Sequence, residues 1–347
     1  MGSFKSEGFV LTAFGKPEET FHLKEINLKM NAGQVLVEVS AFGLNYADVM
    51  ARIGKYRETP PLPTTIGYEV VGKISAVGAE ISSDFIGKRV LAFSQFGGYA
   101  KHAVIEKDAF VLIDETVSDA DALALCTQYV TAYYMSFYQS IVRKHDVVLV
   151  HAAAGGVGTG LLQLCKAQGA TVIAKIGDDR KSSLVKQMGA DFVVNYKTTD
   201  YETAVKQFLG ERRLTFSFNP VGGTTFKKDM RLLGASGKLV LFGGSELSDG
   251  KYGILSQLNF LRKMGISIPA FLMMQSKSLL GVNMLKIALE YPHVLKECME
   301  RVQELFRDGS LKTFVDKIYP AEQLSEAHRY LESGKSMGKL VVKWSND

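Results

Sequence analysis

Between residues 151 and 158 the chain reads His-Ala-Ala-Ala-Gly-Gly-Val-Gly. Ala153, Gly155 and Gly158 take the three positions of a G-x-G-x-x-G pattern, with alanine at the first. Small residues at this spacing permit a tight turn, let a pyrophosphate approach the backbone, and let a helix pack closely on a strand. The backbone N–H groups of Ala154, Gly155, Gly156, Val157 and Gly158 would lie near a helix N-terminus, where the dipole favours a phosphate. The chemistry implied is the holding of a dinucleotide by its diphosphate.

That reading needs strand, turn and helix in the right order. Val147 to Val150 is an apolar run suited to a buried strand. From Thr159 onward Leu161, Leu162, Leu164 and Cys165 share one helical face, and Gly169 ends the helix. A second strand follows over Thr171–Ile176, then a helix over about 180–188, then a third strand over Asp191–Val194. Two βαβ steps in succession predict a doubly wound parallel sheet. Its later strands are expected at Leu214–Phe218 and Lys238–Phe242.

Around this core, residues 8–110 read as short strands with glycine-rich turns, a compact β-rich unit. Residues 116–140 and 275–310 read as helical, and Gly338–Trp344 as a strand. A length of 347 residues suggests two domains. The net charge of +5 is spread along the chain, without the basic run a nucleic-acid partner would need. Cys126, Cys165 and Cys298 have no CxxC spacing, which argues against a disulfide framework and fits a reducing, cytoplasmic setting. Residues 147–165 carry no charge, but their glycines and His151 favour a nucleotide-binding core over a transmembrane span.

In order along the chain, Gly43-Leu44-Asn45-Tyr46-Ala47-Asp48, Arg52-x-Gly54-x-Tyr56, Pro63-x-x-x-Gly67-Tyr68-Glu69, Thr131-Ala132-Tyr133, the 152–158 loop, Asn195-Tyr196, Val221-Gly222-Gly223 and Gly338-Lys339-Leu340-Val341-Val342 form one set. This set resembles the zinc-independent quinone oxidoreductase branch of the medium-chain dehydrogenase/reductase superfamily. Within the branch it is most like the VAT-1 homolog subgroup. The resemblance implies an α/β fold: a GroES-like β-rich catalytic domain from both chain ends (1–128 and 275–347) and an inserted Rossmann domain (129–274). It places the active site in the cleft between them, and implies a homodimer joined near the Rossmann sheet edge, with residues 264–274 as a candidate edge strand.

Zinc relatives hold their metal with a Cys, the His of a Gly-His-Glu motif and a second Cys. Here Asn45, Tyr68 and about Thr127 stand at those places, so no metal is expected. Without a Lewis acid, hydride delivery to an already electrophilic carbon is the easier chemistry, which points to quinones and α,β-unsaturated carbonyls. The resemblance sets Asn45 beside the nicotinamide and its ribose. It sets Tyr46 and Tyr56 in the substrate cleft, as hydrogen-bond donors or as walls, and Thr131 on the nicotinamide amide. Asn219, where the family usually has Asp, borders the nicotinamide half, and Phe242-Gly243 adds backbone contacts.

The second strand ends at Ile176-Gly177 without the acid that an NAD enzyme usually sets against the ribose 2′-OH. Gly177 is taken as a cofactor-binding residue, and Lys181 and Tyr196 match positions that hold the 2′-phosphate in related quinone reductases. Asp178 and Asp179 pull the other way, since Asp178 lies 20 residues beyond Gly158. NADPH is therefore expected ahead of NADH. The expected function is NADPH-dependent hydride transfer to a quinone or enone. The alternative is an NADPH-binding regulatory or membrane-associated protein of VAT-1 type.

Overall fold

In a computed structural model, residues 2–247, 253–265 and 268–345 are described, with the side chains of 253–257 left aside. The chain divides into two units, Met1–Val130 with Met284–Asp347, and Thr131–Asn283.

The second unit is built on six parallel strands, β1 (Val147–Val150), β2 (Thr171–Ile176), β3 (Phe192–Asn195), β4 (Leu214–Asn219), β5 (Leu233–Leu241) and β6 (Ser278–Gly281). Their order in the sheet is β3-β2-β1-β4-β5-β6. The order reverses between β1 and β4, the point where open sheets of this kind bind ligands at their carboxyl ends. Helices α1 (Gly156–Ala167), α2 (Ser182–Gln187), α3 (Tyr201–Leu209) and α4 (Thr224–Leu232) connect the strands. Leu149, Ile173, Val194, Val205, Leu214 and Leu239 pack in one core cluster with Tyr201 and Phe226. Near-continuous apolar strands are what a sheet covered on both faces requires.

Three expectations change here. Residues 264–274 do not supply an edge strand. Pro269, which suits the first turn of a helix, opens a helix over Pro269–Met274, and the edge is β6; residues 266 and 267 lie outside the described ones. Nor is 275–310 helical throughout. After β6 come two helices, Met284–Glu290 and Pro292–Arg307. Pairing of β6 with β5 sets residues 278–281 in the parallel sheet, beyond the expected boundary at 274.

The first unit holds a three-stranded sheet and a seven-stranded one. In the larger, Gln34–Leu44 is central, flanked by Lys339–Lys343 from the far end of the chain and by Glu69–Val77. Arg89–Phe93 and Phe110–Leu112 extend it, and His102–Glu106 also pairs with Gln34–Leu44. The helical stretch from Asp119 to Tyr138 contains two π-helical turns, Leu125–Tyr129 and Tyr134–Tyr138. All three cysteines are free and buried. Burial is the main cause raising each thiol, Cys298 to about 12. No helix among the described residues is long and apolar enough to cross a membrane.

The turn after β1 depends on one close approach. Ala152 sits at φ +47, and its carbonyl accepts from Gly155 N–H at 2.8 Å. α1 then starts at Gly156, three residues earlier than the leucine spacing suggests, with Gly155 as N-cap. A Cβ on Gly158 would lie 2.5 Å from the carbonyl oxygens of both Ala152 and Ala153. Both obstacles are backbone, so neither can swing aside. Gly158→Ala is expected to destabilise the protein by about 1–3 kcal/mol, the usual cost of overpacking, read as a lower urea midpoint at unchanged m-value. An unchanged midpoint would show that the turn relaxes freely.

Candidate functional site

Of the expected nucleotide residues of the second unit, Ala154–Gly158 follow β1, Gly177 and Lys181 follow β2, and Tyr196 follows β3. Ala154 and Gly156 are buried, and Gly155 and Val157 half-buried, at the N-terminus of α1. That end offers unpaired amides to an anion. Beyond β2, Gly177 is crowded from one side: a Cβ there would lie 2.8 Å from the Tyr196 hydroxyl and ring. Tyr196, just after β3, is 49% exposed. Lys181 closes the short 3₁₀ turn Asp179–Lys181.

The two acids at this corner are engaged locally. The Asp178 carboxylate caps the turn by accepting from Arg180 N–H and holds the Arg180 guanidinium from both sides, with Nε 3.0 Å from each oxygen. Those hydrogen bonds hold its pKa well below the ordinary range. Asp179 Oδ1 accepts from Asn195 Nδ2 at 3.0 Å.

Behind the corner lies a buried network that the motifs did not reveal. The Asp229 carboxylate, on α4, accepts from Tyr201 Oη at 2.9 Å, Ser217 Oγ at 2.9 Å and Asn219 Nδ2 at 2.6 Å. His151 Nε2 lies 3.1 Å from its Oδ1, and Lys175 Nζ lies 3.1 Å from His151 Nδ1. An ammonium only donates, so His151 Nδ1 accepts and Nε2 carries the hydrogen given to Asp229. Burial pushes Asp229 up, but His151, Tyr201 and Ser217 outweigh it and hold the carboxyl below its usual pKa. Burial also lowers His151, against the pull of Asp229, and lowers Lys175 to about 8. The one sequence signal was Lys175, a charge inside a strand otherwise apolar from Val172 on.

Asn219 has a different role from the expected one. Its Nδ2 donates to Asp229 and to Thr225 Oγ1, and its Oδ1 accepts from Val221 and Gly222 N–H. An amide has capacity for about four such bonds, and the side chain is fully buried. Asn219 therefore builds the turn after β4 and leaves nothing for a nicotinamide. Its carbonyl accepts from Phe242 N–H at 3.2 Å, which fixes the Phe242-Gly243 backbone beside it. Thr131 is buried in the helical stretch at the start of this unit.

In the first unit, Asn45 precedes the helix Tyr46–Arg52. Asn45 Nδ2 donates to Glu69 Oε1 at 2.8 Å, and Lys339 Nζ donates to Asn45 Oδ1 at 3.3 Å. Lys339 and Glu69 form a fully buried ion pair, and Glu69 Oε2 also accepts from Thr127 N–H at 2.7 Å. Asp48 accepts from Asn45 N–H at 2.7 Å. Burial lifts the Asp48 carboxyl to about 8; the Asn45 N–H opposes this and the Glu69 charge adds to it. Tyr46 and Tyr56 are half-buried; Tyr56 meets the buried Tyr68 edge-on at 6.1 Å, and Tyr68 packs on Phe96 at 5.2 Å.

Two measurements follow from these networks. Asp229→Asn strands the His151–Lys175 pair without its counter-charge, and is expected to cost roughly 3–5 kcal/mol in urea unfolding; a loss under 1 kcal/mol would deny it a central role. Folded Asp48 keeps its proton to about pH 8, whereas the unfolded chain releases it near 3.8. The folded state therefore binds more protons in that window, and stability falls as pH rises through it. Asp48→Asn is expected to remove that fall, roughly 1–4 kcal/mol between pH 5 and 8, in denaturation series at several pH values. Parallel profiles for the two proteins would contradict this.

Residues 31–115 match the model of the alcohol dehydrogenase GroES-like domain, and residues 188–342 that of a zinc-binding dehydrogenase. The donors present do not fit zinc. Asn45 and Glu69 are held by the Lys339 ammonium, Tyr68 is packed among rings, and among the described residues no three His, Cys, Asp or Glu gather as a metal site. The synaptic vesicle membrane protein VAT-1 homolog of Danio rerio is 30% identical over 342 residues, 98% of this chain and 70% of that protein. The quinone oxidoreductase of Sus scrofa is 27% identical over 95% of each chain. The crystal structure of Escherichia coli quinone oxidoreductase complexed with NADPH superposes with a TM-score of 0.85 at 26% identity, covering 97% of this chain and 99% of that one. The chain belongs to the medium-chain dehydrogenase/reductase superfamily of oxidoreductases, in the branch of the quinone oxidoreductases and VAT-1 homologs.

Proposed function

We propose that this protein is an NADPH-dependent, metal-free oxidoreductase that reduces quinones or α,β-unsaturated carbonyls. The observation that carries the reading is the corner beyond β2. Gly177 presents backbone only, Asp178 and Asp179 are committed to Arg180 and Asn195, Tyr196 stands against Gly177, and Lys181 ends the turn that follows. A carboxylate free to meet a ribose 2′-OH would favour NADH; a lysine and a tyrosine hydroxyl suit a 2′-phosphate. The NADPH complex of the E. coli relative supports the same reading.

Bound nicotinamide would supply the hydride from its C4. The chain's own part is binding, orientation and hydrogen bonding. The turn Ala154–Gly158 takes the diphosphate on N–H groups at the start of α1, while the Gly155 N–H stays on the Ala152 carbonyl. Lys181 and Tyr196 take the 2′-phosphate. Asn45, its amide pinned by Glu69 and Lys339, keeps one Nδ2 hydrogen for the ribose or the nicotinamide, and Thr131 takes the amide. Tyr46 and Tyr56 shape the substrate side, where a phenol can donate to a quinone oxygen, and the proton comes from there or from solvent. A homodimer is part of the proposal, as the exposed edge strand β6 leaves one side of the sheet available.

The test is oxidation of NADPH with 1,2-naphthoquinone. Turnover is expected with NADPH ahead of NADH. Lys181→Ala is expected to weaken NADPH by about 10–100-fold, the worth of roughly 1.5–3 kcal/mol for a charged hydrogen bond, and to leave NADH within twofold. Tight NADPH binding without turnover on any quinone or enone would favour a regulatory NADPH-binding protein instead.

A further inference from the structure

Lys175 lies on β2, where residues 172–176 are buried, and it is itself only 5% exposed. Among the described residues no carboxylate lies within ion-pair distance of its ammonium. One hydrogen goes to His151 Nδ1 at 3.1 Å, and the ammonium also lies against two aromatic rings, 4.4 Å from the centroid of Tyr201 and 4.6 Å from that of Tyr196. An aliphatic side chain would fill this place without the desolvation cost of a cation. Tyr201 is buried and bonded to Asp229, so it needs no further anchor. Tyr196 does: half its surface is open, and its hydroxyl end stands over Gly177.

We propose that Lys175 is a positioning residue for the 2′-phosphate of NADPH, holding the Tyr196 ring over Gly177 and placing a positive charge beneath it. The inference rests on the NADPH reading and deepens it. A cation against the face of a ring is attracted to it, more strongly when desolvated. A positive charge near a phenol also makes its O–H a stronger donor to an anion, because charge building on the oxygen is stabilised. The 2′-phosphate thus meets a Tyr196 whose orientation and donor strength are both set from behind. NADH, which lacks that phosphate, gains nothing from the arrangement.

The linkage has a definite sign. The charged and titratable groups facing Lys175 are His151, Asp229, Tyr196 and Tyr201, with Lys228 and Glu246 acting from farther away. Burial lowers its pKa to about 8, so near that pH part of the protein carries a neutral Lys175. A phosphate dianion favours the charged form, and its binding should draw a proton from solvent. The phosphate's own second pKa is near 6, so it contributes no protons above pH 8.

The experiment compares the full chain with Lys175→Met and Lys175→Arg, by calorimetry with NADPH and with NADH at pH 7.0 and 8.5 in buffers of different ionisation enthalpy. The wild type is expected to take up protons with NADPH at pH 8.5 and not with NADH. Lys175→Met is expected to melt at the same or a higher temperature, to bind NADPH at least fivefold more weakly, to hold NADH within twofold, and to lose the proton uptake. Lys175→Arg is expected to keep most of the preference. Equal losses for both nucleotides in Lys175→Met, or an unchanged preference, or proton uptake that survives the substitution, each overturn the role of Lys175 and leave the NADPH reading standing. A wild type that binds NADPH no better than NADH overturns both.

Discussion

The Asp229 carboxylate accepts hydrogen bonds from four side chains, which come from the end of β1, from β4 and from α3. His151 follows β1, Ser217 and Asn219 lie in β4, Tyr201 opens α3, and Lys175 of β2 joins through His151. A buried carboxylate of this kind is costly unless every lone pair is used, and here they are used by groups that together define the rim of the sheet. The glycine-rich turn starts one residue after His151, and the turn at Val221-Gly222 hangs on Asn219. The two loops that would cradle a dinucleotide are therefore tied to the same anion. Such networks are stiff when every polar group is satisfied.

This dependence explains what could be read from the chain and what could not. The sheet was legible because its signals are local: an apolar run, small residues at fixed spacing, then apolar residues at helical spacing. The three strands and two helices from Val147 to Asn195 follow from that, the first two strands at the expected bounds and the other elements with ends displaced by one to three residues. Asp229 carried no such signal. It is one acid in the helix Thr224–Leu232, far in sequence from His151 and Lys175, and only the parallel order of β2, β1 and β4 brings the three together. Asn219 misled for the same reason. An Asn at a strand end near a cofactor loop reads as a ligand until its four protein partners are known. The edge strand failed differently: apolar residues around 270 suit strand or helix, and Pro269 decides for helix.

The first unit solves its own charge problem by another route. Lys339, from the last strand, reaches Glu69 and Asn45, so the two ends of the chain are joined by an ion pair with no solvent exposure. Such a pair adds little net stability over apolar packing, but it orients its neighbours. Glu69 also anchors the Thr127 N–H at the π-helical turn, and Asn45 leads into the helix bearing Asp48 and Arg52. A lysine ammonium thus stands among the groups that a divalent ion would otherwise attract.

The three buried cysteines carry a consequence for a protein proposed to meet quinones and enones. Such compounds are soft electrophiles that add to thiolates, and an accessible low-pKa thiol beside them would be alkylated by its own substrate. Cys126, Cys165 and Cys298 are all out of solvent, and all are held in the protonated form by their surroundings. No cysteine thiolate is therefore presented to such electrophiles, so addition at cysteine should be slow.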